Sequence, residues 1–319
     1  MKDFGARLQV VGILPTLLAT FVVVFFVVSG APVAPLDAIA LKTGAEAIGL
    51  AGAVWITVGA VALAVTLQPL QFRLVQLLEG YWPGGIVAPV RALGIAWQRR
   101  KYLRAVARLA IVKGSKGKLR QLVAASLREA AAHQIRARFP DESRLLPTAL
   151  GNTLRCTEDK VGRRYGIQVV TLWPRLHLVL PPALRDELDD EVNQLDVSCR
   201  LSVTWLLAAV ICTSFLASNL SATILNWGWA LIAASLWALS ALAYRSAIEA
   251  AEAHGQDIEV TLDLHRHLLI EAMRLPATRT LSEDRRVFPL LSKLFTTYSS
   301  QHDLQLEYRE SSKQFGTGR

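Results

Sequence analysis

The sequence is short of charge, of cysteine and of catalytic motifs. Only 19% of its 319 residues are Asp, Glu, Lys or Arg, against about 25% in soluble domains. Hydrophobic residues make up 52%, and the mean hydropathy is +0.32. That balance excludes an ordinary soluble globule. The three cysteines, Cys156, Cys199 and Cys212, follow no metal-ligand spacing, and their odd number gives no disulfide framework. Cys212 lies inside an apolar run and reads as a small packing residue. There is no G-x-S-x-G, H-E-x-x-H or G-x-G-x-x-G pattern, and no clear Ser/His/Asp set. Gly114-Ser115-Lys116-Gly117-Lys118 fails as a phosphate loop, because Val112 stands at the first Gly position and Leu119 follows the lysine. His265 and His267 are two residues apart and fall on different helix faces, so they form no joint metal site. The expectation is a chain that is not an enzyme and holds no cofactor.

What is present is apolar length. Residues 201–244 hold two runs without a single Asp, Glu, Lys or Arg, joined at Ser218-Asn219-Leu220-Ser221. Each is about the 20 residues a helix needs to cross hydrocarbon, which predicts a transmembrane hairpin. Residues 10–30 and 45–67 predict two further spans. The first is too long for the apolar core of a signal peptide and is expected to remain as a helix. No ionisable residue lies deep in any of the four, and Glu46 sits at an edge. Intramembrane charge marks proton relays and ion pathways, so its absence argues against a proton-coupled transporter. In the second span Gly49, Gly52 and Gly59, with Ala45 and Ala60, recur at roughly helical spacing. Small residues let helix backbones approach closely in lipid. They read as packing against the first span, or as a subunit interface or pore-lining face.

Lys and Arg set the orientation. Residues 69–200 carry 22 of them, the loop between the first two spans carries Lys42 alone, and the joint at 218–221 carries none. The bias places both termini and the middle segment on the cytoplasmic side of the plasma (inner) membrane.

Residues 69–83 read as a segment at headgroup level. Residues 91–139 contain 13 Lys or Arg and one acid, Glu129. Two helices are expected there, over about 88–112 and 118–138. The basic side chains Arg99, Arg100, Lys101, Arg104, Arg108, Lys113, Lys116, Lys118 and Arg120 are candidates to contact anionic lipid headgroups or an acidic partner. Nucleic acid is disfavoured, since no DNA- or RNA-binding signature accompanies the charge.

Residues 144–180 bring Glu158 and Asp159 close to Arg163 and Arg164, with Tyr165 and Trp173 nearby. The cluster is a candidate polar site. The plainer reading is a salt-bridged turn, because surface ion pairs usually do little. A helix is expected from about Pro147 to Lys160, and Ile167–Leu172 has β-like composition. Leu146-Pro147-Thr148, Leu150-Gly151-Asn152, Arg164-Tyr165-Gly166, Trp173-Pro174-Arg175-Leu176 and Asp263-Leu264-His265-Arg266 together form a block over roughly residues 140–275. It resembles one found in uncharacterised multi-pass membrane proteins of high-GC bacteria. The resemblance implies a membrane setting and no particular activity.

Pro181-Pro182 predicts the start of a helix that continues without a breaker into the third span. The fourth span likewise runs on to about Pro276. The acidic run at 186–196 complements the basic run at 91–139, so the two are expected to dock, within or between subunits. A last short helix is expected around Val287–Tyr298.

The expected architecture is all-α: four membrane spans, a helical cytoplasmic domain and a long central hairpin stalk. Its parts are a first transmembrane hairpin at 1–68, a basic segment at 69–183, the central hairpin at 184–275 and a C-terminal helix and tail at 276–319. The expected function is a membrane-anchored scaffold or interaction module, forming a homo-oligomer or binding a protein partner on the cytoplasmic side. A homo-oligomeric channel or pore is the alternative, and a membrane-surface enzyme the third.

Overall fold

A computed structural model describes residues 2–29, 38–67, 71–85, 87–112, 126, 130, 138–218, 227–296 and 308. Every element among them is helical. In chain order these are α1 (Lys2–Val28), α2 (Ala38–Leu67), α3 (Gln71–Glu79) and α4 (Ala88–Val112), then a 3-10 turn at Glu142–Arg144. They continue with α5 (Ala149–Tyr165), α6 (Val169–Val179), α7 (Pro182–Ser218), α8 (Trp227–Ala272) and α9 (Leu281–Thr296). The expected joint at 219–221, and the helix at 118–138 apart from 126, 130 and 138, lie outside the described residues.

Three helices are long and apolar enough to cross a membrane: Leu41–Thr66 within α2, Pro182–Ala217 within α7, and α8. In α1 the segment Pro15–Val28 forms a shorter apolar helix.

The expectation of β structure at Ile167–Leu172 is overturned. Gln168 is extended and α6 begins at Val169. The β-branched pair Val169-Val170 raised the strand signal, but burial follows a helical period. Val169, Leu172 and Leu176 point inward while Val170 is exposed. Tertiary packing thereby overrides a local preference worth about 1 kcal/mol at most.

The chain divides into two compact units, each assembled from separated stretches. The first comprises Met1–Gly94, Leu146–Gly151 and Asp190–Ala251. Within it α7 and α8 run antiparallel. Ser240 Oγ donates to the Ser202 carbonyl at 3.0 Å, and the Ser198 and Ser246 hydroxyls pair at 3.2 Å. Ala208, Ala209, Ala247 and Ala251 are buried along these helices, the small residues that close approach in lipid requires. At the apolar end Phe26 and Trp229 pack with Cys212, Ala233 and Leu236.

A knuckle at Pro147 completes this unit. Added Cβ atoms at Gly80 and Gly94 would lie 2.7 and 2.6 Å from the Pro147 ring. One at Gly151 would lie 1.9 Å from the Glu79 carbonyl oxygen. Thr148 caps α5: its hydroxyl accepts from the Gly151 N–H at 3.2 Å and donates to the Glu79 carbonyl at 2.8 Å. Tyr244 Oη accepts from the Leu150 N–H at 3.3 Å.

The second unit comprises Ile95–Leu145, Asn152–Asp189 and Glu252–Arg319. Its core is conventional for packed amphipathic helices. Val161 from α5, Leu172 and Leu176 from α6, Leu188 from α7, Leu262 from α8, and Phe288 and Leu291 from α9 are all buried. Phe288 is 1% exposed and Leu291 fully buried, which places α9 in the core despite its short length. Thr280 caps it through the Glu283 N–H.

Candidate functional site

The polar chemistry of the second unit forms two networks, both on the C-terminal half of α5. In the first network the turn after Pro140 is tied to the helix side. Arg144 pairs with Asp159, whose side chain is almost wholly buried. The Asp159 carboxylate also accepts from the Asp141 N–H at 3.4 Å. Arg163 grips both carboxylate oxygens of Asp141, at 2.7 and 2.8 Å. Glu158 lies 3.9 Å from Arg144. Burial pushes the Glu158 carboxyl above its ordinary range, and Arg155 and Arg144 offset part of that shift.

In the second network Arg164 turns towards α8. One terminal nitrogen donates to both oxygens of Asp263, at 2.8 and 2.6 Å, and the other donates to Glu259 at 2.6 Å. The hydrogen bond to Asp263 raises the guanidinium above its ordinary value. Tyr165 Oη donates to Asp263 at 2.7 Å, and the Arg266 guanidinium stacks 4.5 Å over the Tyr165 ring. Arg266 in turn donates to the buried Asp284 at 3.0 Å. Burial, then the bond to Asp263, raises the Tyr165 phenol.

The four residues proposed as one polar cluster therefore divide. Glu158, Asp159 and Arg163 serve the Asp141–Arg144 turn, and Arg164 serves α8 and, through Asp263, Tyr165. Asp263, Glu259, Asp141 and Arg144 were not among the candidates. Asp263 is 99 positions from Arg164, and no local spacing links them. The i, i+4 spacing of Glu259 and Asp263 was the available signal, since it puts two acids on one helix face.

The basic candidates lie largely on α4. Arg99 Nε donates to Glu142 at 2.6 Å, and Arg100 and Arg104 are exposed. The Lys101 ammonium sits 3.7 Å over the Trp97 ring. Arg108 is on the helix with its side chain outside the described residues, and Lys113, Lys116, Lys118 and Arg120 lie wholly outside them. Arg138 pairs with Glu252 at 2.6 Å. Glu142 and Glu252 both fall outside the acidic run at 186–196.

The small-residue candidates take three different situations. Gly49 has φ 58° and ψ −179° and joins two helical pieces at a kink, a backbone state open essentially to glycine alone. Gly59 is exposed, and a Cβ there would meet nothing within 4 Å. Gly52 is half-buried, and its added Cβ would meet only Ile48 of its own helix. The close approach of α2 to α1 is made instead at Gly44, where a Cβ would lie 2.7 Å from Val28. Ala60 and Ala64 are buried small residues of α2.

Among the described residues no three His, Cys, Asp or Glu side chains come together as a metal site. Comparisons with protein-family models, with curated proteins and with solved structures found no match to the chain.

Proposed function

We propose that this protein is a membrane-anchored interaction module. Four helices cross the plasma (inner) membrane, α1 being the fourth. Both termini and the charged helical body lie on the cytoplasmic side. The observation that carries the reading is the length of two helices. α7 has 37 residues and α8 has 46, or about 55 and 69 Å at 1.5 Å per residue. Hydrocarbon accounts for about 30 Å. The remainder is charged, and its residues join a core of their own with α5, α6 and α9. Tethered to the bilayer by these helices, that charged core would bind a protein partner or a second copy. The division of the α5 cluster into two bracing networks supports a structural role for those ion pairs over a catalytic one.

The second reading is a homo-oligomeric pore. It draws on the open space around the exposed Gly59 and on the kink at the exposed Gly49, both in a helix long enough to span. Conductance of the purified protein in planar bilayers, with subunit mass checked on the same preparation, separates the two. Silence from a folded oligomer across voltage and salt is the expected result. Discrete unitary currents lost on Gly59→Leu would overturn the scaffold reading.

A further inference from the structure

Among its described side chains the helix α4 turns several large apolar residues outward. A helix on a globular surface turns its large apolar residues inward. Among the described side chains of α4 the buried positions are Gln98 and Ala105, each 2% exposed. Val90, Leu93, Trp97, Leu103 and Val106 face outward, with Leu93 71% exposed and Trp97 57%, while Ile95 and Tyr102 are half-buried. Positions 90, 93, 97, 100 and 104 follow one another at helical spacing, so Val90, Leu93 and Trp97 lead along one side into Arg100 and Arg104. A lone exposed leucine needs no explanation, but a continuous apolar strip rimmed by charge does.

Charge and tether commit the face to one occupant. Residues 80–128 contain no Asp or Glu, which disfavours a cationic or neutral partner. Trp97 with Lys101 stacked over it is an amphipathic pair suited to the headgroup zone, where the ring is half-immersed and the ammonium reaches phosphate. The chain also delivers α4 to a bilayer, because the apolar helix α2 ends at Leu67, 21 residues before Ala88. We infer that the outward face of α4 lies on an anionic bilayer surface, with Leu93 and Trp97 entering the headgroup–acyl boundary and Arg100, Lys101 and Arg104 on lipid phosphates. The inference rests on the reading that α2 crosses the membrane.

The test uses the full chain reconstituted into vesicles of phosphatidylcholine, with or without phosphatidylglycerol. A nitroxide is attached through Leu93→Cys, and in a separate sample through Val58→Cys on the exposed side of α2. The native cysteines are buried. Collision with oxygen and with a water-soluble nickel chelate reads depth. On anionic vesicles both labels are expected to be shielded from the chelate and reached by oxygen, with 58 the deeper. Arg100→Glu with Arg104→Glu should cut the docked-to-free ratio at 93 by roughly tenfold or more, since each basic residue near an anionic surface contributes about 1 kcal/mol. The label at 58 should not respond. A chelate-accessible 93 beside a shielded 58 overturns the inference and leaves the anchored reading standing. Exposure of both labels overturns the anchored reading as well. Dipolar broadening between labels at 93 assigns the face to a second copy and overturns the lipid assignment. Equal shielding without phosphatidylglycerol, unchanged by the charge reversals, overturns the anionic requirement.

Discussion

Gly151→Ala is the sharpest probe of how the first unit is held together. The new methyl carbon would start 1.9 Å from the Glu79 carbonyl oxygen and 2.8 Å from Leu146 Cδ1. Even a favourable carbon–oxygen contact needs about 3.3 Å, so the two backbones must part by roughly 1.4 Å. The nearer obstacle, Glu79, is main chain, and no rotamer relieves it. Overpacking of this kind costs about 1–3 kcal/mol. The separation also breaks the Thr148–Glu79 hydrogen bond, worth about 1 kcal/mol net. Alanine is the better helix former by up to about 1 kcal/mol, although the third residue of α5 collects only part of that. The net is a destabilisation of about 2–3 kcal/mol. Thermal unfolding in detergent micelles, followed by helical circular dichroism, should show a midpoint lowered by about 4–10 °C. Gly59→Ala is the control: nothing lies within 4 Å of its Cβ, and its effect should stay within about 0.5 kcal/mol. A Gly151→Ala protein as stable as the control would refute the close approach of α3 and α5.

Three further outcomes follow from the second unit and from α2. His254 is 9% exposed, its Nδ1 lacks a partner, and burial lowers its pKa. The unfolded chain therefore binds the proton more readily, and stability should be full above about pH 6.5 and decline as pH falls below it. Trp173, His177 with its partner Asp189, and Asp257 face this ring, and His254→Leu should flatten the pH dependence of the unfolding midpoint. Arg164→Ala frees Asp263 and Glu259 together; with Arg164 41% exposed the loss should be about 1–2 kcal/mol. A double-mutant cycle with Asp263→Asn should recover a coupling of about 0.5 kcal/mol or more, and additivity would show the fork to be ornamental. Gly49→Ala should cost about 1–3 kcal/mol or straighten α2, read as a change in spin-label distance across the kink.

The helices of this chain are written where one period dominates. The expected α4 of about 88–112 coincides with Ala88–Val112, because no breaker interrupts it after Pro89. Pro182 opens α7 as a first-turn proline does. The apolar runs of α2, α7 and α8 are visible as length without charge. Other features depend on distant residues. Val169 and Val170 look like strand until Phe288 and Leu291 supply an inner side for them to divide across. Gly49 reads as one more small residue in a membrane helix, and only its backbone angles disclose a break. The partners of Arg164 become visible once α5 lies along α8. The outward turn of Trp97 and Leu93 was hidden because composition reports how apolar a helix is, without reporting which side meets the body.

Each unit is stitched from three separated stretches, and this orders events during synthesis. Ile95–Leu145 leaves the ribosome long before Glu252, the first residue of the last stretch it must fold with. At roughly 5–20 residues per second the synthesis from Leu145 to Glu252 takes about 5–21 s. Throughout it a strongly cationic, apolar segment has no completed core to join. The nascent chain therefore needs a temporary shelter, and expression of either half alone should yield insoluble material rather than a working fragment.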